Sequence, residues 1–139
     1  AIRFQTGERA LNLRSRPWGA EFDGARFEWT TQRRSGTARG VRQAGCEWFD
    51  AERVGERILL RHWRPGDRFQ PSGLPAAAKL QDLFTNAKVS REDRRHRVVA
   101  ATADGTIWWV EGLRISEGFK LQPDTRCRLR WRWQRGPKA

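Results

Sequence analysis

The run Arg126-Cys127-Arg128-Leu129-Arg130-Trp131-Arg132-Trp133 alternates arginine with an apolar or aromatic residue through four full periods. A period of two belongs to a β-strand, whose successive side chains point to opposite faces. Cys127, Leu129, Trp131 and Trp133 therefore share a face that must be buried. Arg126, Arg128, Arg130 and Arg132 share the other. A helix would scatter both sets around its circumference, so the end of the chain is read as a long strand, apolar on one side.

Working outward, the same chemistry recurs. Glu21 to Trp29 places Asp23-Gly24 between two aromatic-bearing runs, and Asp104-Gly105 separates Arg97–Thr102 from Thr106–Val110. Asp-Gly between strand-like runs signals a tight hairpin. Further strands are expected at Ala10–Arg14, Cys46–Asp50 and Arg57–Trp63, with a short turn at Ala51–Gly55. Arg33 to Gly45 is polar and glycine-rich and reads as a mobile loop, and RPGDRFQPSG (Arg64–Gly73) is turn chemistry throughout. Leu80, Leu83, Phe84 and Ala87 stand at helical spacing and give one apolar face. A second, basic helix is expected from Ser90, where Ser90-Arg91-Glu92-Asp93 has the form of a capping box. The whole is α+β: a β-rich, mostly antiparallel, sandwich-like sheet with one or two helices on one side.

The chain has 139 residues, enough for one domain with a core, and a formal net charge of +12. Of 28 basic residues, 19 lie after residue 50 against 10 acidic ones, so the excess sits in the second part. Such an excess attracts polyanions, and nucleic acid is favoured over a membrane because no basic amphipathic helix with a large apolar face occurs. No apolar run is long enough to span a bilayer and no signal-peptide pattern opens the chain. The absence of Met suggests a piece of a longer protein. Cys46 and Cys127 could form one disulfide or remain two buried thiols, and with His62 and His96 they make a poor metal set.

Arginines two apart in a strand stand about 7 Å apart, close to the spacing of phosphates along one nucleic-acid strand, and their forked donors suit phosphate oxygens. The same ladder equally describes a solvated outer face or cross-strand pairing with Glu111 and Glu117. The basic helix around Arg91–Arg97 poses the same choice. Trp108-Trp109 and the other tryptophans could stack on unpaired bases, although eight of them in so small a domain point first to an aromatic core. Catalytic signatures are missing from the sequence: there is no GxxxxGK[ST] loop, no SGGxDS loop and no GxSxG motif, and Asp67 and Asp82 beside arginines read as ion-pair partners. No catalytic and no metal-binding residue is assigned.

Four stretches together carry a family resemblance: WFDAERVG (Trp48–Gly55), LLRHWRPGDRFQPSG (Leu59–Gly73), KLQDLFTNAKV (Lys79–Val89) and IWWVEGLRISEGFKL (Ile107–Leu121). In order and spacing they resemble the C-terminal domain of tRNA(Ile)-lysidine synthases. Family members usually carry proline after "KV" and again before the next strand, where this chain has Ser90 and a position near Arg97. The resemblance implies the fold shared with a domain of the phenylalanyl-tRNA synthetase β subunit. It further implies a cytoplasmic, non-catalytic tRNA-binding domain, residues 48–139, with 1–47 as a strand-rich lead-in. The ligase that contains such a domain uses ATP, with Mg, in a separate N-terminal domain to join lysine to the cytidine at the first anticodon position. The partner implied is tRNA(Ile) with a CAU anticodon, and a homodimer is conceivable. The expected contacts are Arg61, Arg64, Lys79, Lys88, Arg91, Arg94, Arg95 and Arg114, then Arg128 and Arg130, with Lys79 and Arg114 open also to internal pairing with Asp82 or Glu117. Asp67 is expected to cap backbone N–H groups rather than touch RNA. Two competing readings are a free-standing RNA-binding module of the same fold and a dimerisation scaffold.

Overall fold

A computed structural model describes residues 7–33 and 44–135. The expected loop Arg33–Gly45 lies almost wholly outside them. In chain order the elements are β1 (Glu8–Asn12), β2 (Gly19–Phe22), β3 (Ala25–Arg33), β4 (Cys46–Asp50), α1 (Ala51–Val54), β5 (Arg57–His62), β6 (Arg68–Phe69), β7 (Ala78–Lys79), α2 (Leu80–Asn86), α3 (Arg91–Arg95), β8 (Val98–Thr102), β9 (Ile107–Val110) and β10 (Cys127–Arg135). Two four-stranded sheets form, in the orders β1-β5-β8-β9 and β2-β3-β10-β4, with a small β6-β7 ribbon between elements of the middle. Every pairing is antiparallel.

Both Asp-Gly hairpins are present. Asp23 at φ 51° and Gly24 at φ 77° supply the two left-handed residues that a two-residue turn between β2 and β3 requires. The long alternating strand, β10, lies inside its sheet, paired on one side with β3 and on the other with β4. Residues before Trp48 are woven into both sheets, through β1 on β5 and β3 on β10.

The two sheets bury one core between them. Trp131 of β10 is its hub, with ring centres 5.2 Å from Phe27, 5.9 Å from Trp29, 5.0 Å from Trp108 and 5.8 Å from Trp109. Trp108 in turn meets Phe49 edge-on at 4.9 Å. Adjacent residues of a regular strand cannot both face one side, yet Trp108 and Trp109 both do. A register shift resolves this: Trp109 pairs with Ala100 and Ile107 with Ala101, leaving Trp108 as the extra residue of a bulge. Ile107 and Val110 point the other way, into a second cluster with Phe69, Val99, Leu80 and Phe84 beneath α2. The first sheet is thus covered on both faces, and the second packs its core face against it.

Three short helices form where one or two were expected. Asp50 caps the four-residue α1, accepting N–H bonds from Glu52 and Arg53 at 3.0 and 3.2 Å, and its second oxygen accepts from the Thr125 hydroxyl. Ser90 caps α3 by accepting the Asp93 N–H at 3.1 Å, and Gly55 closes α1 at φ 85°. The turn segment also holds more regular structure than its composition suggests, since Arg68 and Phe69 pair with Lys79 and Ala78. Cys46 and Cys127 are both free thiols, one buried and one half-buried. At the far end of β10, the Arg135 guanidinium donates to both Glu111 carboxylate oxygens and to the His96 carbonyl, joining the two sheets. Those bonds to the Glu111 carboxylate raise the Arg135 pKa above its ordinary value.

Candidate nucleic-acid interface

The ten candidate cations divide by environment. Arg61 is a correction to the expectation of a surface contact: it is 8% exposed and grips Asp67 through two bonds of 2.9 and 3.0 Å. The same Asp67 carboxylate accepts the Arg64 N–H at 2.7 Å, so Asp67 shapes the Pro65-Gly66 turn and neutralises a buried arginine together. Arg128 is a second correction: it is 6% exposed, set in register between Gln32 of β3 and Asp50 of β4. Arg94 turns inward as well. Its Nη2 donates to the Val89 carbonyl at 2.7 Å, its guanidinium lies over the Phe84 ring, and its carbonyl accepts the Trp63 indole N–H.

Arg64, Lys79, Lys88, Arg91, Arg95 and Arg114 remain exposed. Arg64 shares its charge with Glu8 in an ion pair open to solvent on both sides. Lys79, Lys88, Arg91 and Arg95 have no carboxylate partner among the described residues, and the ion pair of Lys79 with Asp82 does not form. Arg114 makes no pair with Glu117 either; it donates to the Ser72 carbonyl at 3.3 Å.

The turn segment gathers several of these cations. Arg68 pairs across the ribbon with Lys79, and three residues later Pro71 bridges Ser116. Ser72 receives Arg114, while the Gly73 N–H donates to the Glu117 carboxylate at 3.0 Å. That N–H bond first, and Lys120 at 3.0 Å second, hold the Glu117 carboxyl below the usual glutamate range. Arg68, Lys79 and Arg114 are thereby tied to one braced surface loop. The N-terminal end of α3 is a poorer anion site than its arginines suggest, since Glu92 and Asp93 occupy its first turn.

The ladder on β10 is not uniform. Arg126 is exposed but paired with Glu52 at 2.8 Å, Arg130 is half-buried, and Arg132 is exposed. Register places Arg130 beside Thr30 and Trp48, and Arg132 beside Glu28 and Cys46. Arg26 and Trp18 join this outer face around a cleft of ≈ 370 Å³. Neither stood out in the sequence, where Arg26 is one alternating residue of a hairpin and Trp18 follows a proline. Pairing the hairpin with the last strand would have brought Arg26 forward. Among the described residues no three His, Cys, Asp or Glu side chains lie together to hold a metal ion.

Residues 58–131, more than half of the chain, match the model of the family described as the TilS substrate C-terminal domain. The chain belongs to this family. Its sequence is 39% identical over 80 residues to the tRNA(Ile)-lysidine synthase of Clostridium acetobutylicum, covering 58% of this chain and 17% of that protein. It is 35% identical over 92 residues to the tRNA(Ile)-lysidine synthase of Symbiobacterium thermophilum, covering 66% of this chain and 19% of that protein. The chain therefore spans under a fifth of the length of these curated relatives. The fold is similar to a crystal structure of a TilS C-terminal domain, with a TM-score of 0.71 and 25% identity over 94% of this chain and 99% of that one. It is also similar in fold to an N-terminal fragment of the phenylalanyl-tRNA synthetase β subunit from Pyrococcus horikoshii, with a TM-score of 0.55 and 17% identity over 68% of this chain and 28% of that one. The resemblance drawn from the four sequence stretches and the α+β, antiparallel fold class are both borne out. No helix among the described residues is long and apolar enough to cross a membrane.

Proposed function

We propose that this domain is the non-catalytic tRNA-holding part of a tRNA(Ile)-lysidine synthase and binds tRNA, with tRNA(Ile) carrying a CAU anticodon as the cognate partner. What carries the reading is the set of exposed cations without carboxylate partners among the described residues, Lys79, Lys88, Arg91 and Arg95, together with Arg114, which braces the loop. They stand on a chain of net charge +12 whose relatives are tRNA(Ile)-lysidine synthases. Double-stranded RNA is held by shape, 2′-hydroxyls and phosphates, for which cations on a rigid scaffold suffice. In this reading ATP and Mg serve an adenylating domain outside these residues, lysine is joined to cytidine there, and the work takes place in the cytoplasm. The domain contributes position.

The test is a titration of the chain with unmodified tRNA(Ile) bearing CAU, an unrelated tRNA and duplex DNA, across a salt series. Binding that prefers tRNA and weakens by roughly one decade per decade of salt for each phosphate neutralised is the expected result. Absence of binding at low salt removes tRNA contact from this domain and leaves a scaffold role, for which sedimentation would then report the dimer.

A further inference from the structure

The outer face of the second sheet borders a cleft that joins an exposed tryptophan to several arginines. Among the described residues, Trp18 at 43% and Leu74 at 36% are the large apolar side chains left exposed, while Trp29, Trp108, Trp109 and Trp131 are buried. Trp18 is not loosely held: its carbonyl accepts the Trp29 N–H at 3.1 Å, extending the β2–β3 ladder by one residue. Trp18 therefore stands on fixed backbone. It lines the ≈ 370 Å³ cleft together with Pro17, Arg26, Glu28, Arg130 and Arg132. That volume falls within the roughly 300–1,000 Å³ of small-ligand sites.

The charges of the cleft favour an anion. Arg26 is shared with Glu28 at 3.6 Å, but the Arg130 and Arg132 side chains have no ion-pair or hydrogen-bond partner among the described residues. Gly19 also belongs to the arrangement. A Cβ there would stand 2.6 Å from the Arg26 Nη2, so the glycine lets that guanidinium lie against the β2 backbone. An aromatic plane beside two free guanidinium groups is the pairing by which single-stranded nucleic acid is held, the base on the ring and the phosphate on the arginine.

We propose that this cleft is a subsite for one unpaired nucleotide of a bound RNA, its base stacked on Trp18 and its phosphate held by Arg130 and Arg132. The proposal rests on the RNA-binding reading above and adds to it a preference for a single-stranded end or loop beside a duplex. It is tested on the 139-residue chain with two RNA hairpins, one blunt and one carrying a four-nucleotide 3′ overhang, by fluorescence anisotropy. The overhang hairpin is expected to bind about tenfold tighter, as one stacked base allows. Trp18→Ala should erase that preference without changing affinity for the blunt hairpin, and Trp18→Phe should keep most of it. Arg130→Gln should lower the salt slope for the overhang hairpin by about one, and by more than for the blunt hairpin. Near-UV circular dichroism of each variant reports that the tryptophan core is intact. Equal wild-type affinity for the two hairpins would overturn the subsite while RNA binding stands. A preference that survives Trp18→Ala removes the indole from it, and binding to neither hairpin overturns the subsite and the RNA reading together.

Discussion

A single arginine illustrates how far one residue's role depends on its surroundings. Arg61 lies in a basic, motif-like stretch and reads as a phosphate ligand, yet its side chain is about one-tenth exposed and locked to Asp67 by two bonds. Removing one member of a buried pair leaves the other charge uncompensated, which costs about 3–5 kcal/mol. Asp67→Ala is therefore expected to lower stability by about 3 kcal/mol in urea denaturation, and Arg61→Gln by a similar amount. Neither should change the salt slope of tRNA binding in the fraction that stays folded. Glu117 gives a pH signature of the opposite kind. Its folded pKa is depressed by the Gly73 N–H, so its contribution is fully present above the ordinary glutamate value of about 4.3 and fades as pH falls through the lower folded value. Comparing urea midpoints at pH 7 and pH 3, wild type should lose stability from this source on acidification and Glu117→Gln should not.

At the level of the element, β10 shows what alternation determines. Its apolar face contributes Leu129 and Trp131 to the core, as a period of two demands. Trp131 touches four aromatic rings, so Trp131→Ala should cost about 3–5 kcal/mol and abolish much of the near-UV circular dichroism, whereas Arg132→Ala on the opposite face should stay within about 0.5 kcal/mol of wild type. The strand is also constrained from outside. Gly45 sits at φ +77°, and a Cβ on it would stand 2.8 Å from the Trp133 carbonyl. Gly45→Ala is expected to cost about 1–3 kcal/mol through backbone strain, measured by the same denaturation. The hairpins were readable because Asp-Gly chemistry acts over two residues. The bulge at Trp108 was not, because two adjacent tryptophans do not by themselves reveal which one will fall out of register. The partition of the arginine ladder was equally hidden: Arg128 is buried and Arg132 exposed although the sequence treats them alike.

For the molecule as a whole, several of the outward cations gather on two surfaces. One surrounds the braced loop and α2, with Lys79, Lys88 and Arg114, and the other is the outer face of the second sheet, with Arg130 and Arg132. A Lys79→Gln, Lys88→Gln, Arg114→Gln variant should reduce the tRNA salt slope by about two to three while leaving thermal unfolding nearly unchanged, since all three side chains are exposed. The sequence alone determined most of the strands, the hairpins, the two main helices, the aromatic core face and the family, because each of these is written in neighbouring residues or in motifs of fixed spacing. Only the tertiary structure decided which arginines face solvent, that Asp67 reaches Arg61 as well as its own turn, and that Trp18 and Arg130, more than a hundred residues apart, line one cleft. Those outcomes follow from strand order and register, which bring distant segments to one surface and leave no local trace.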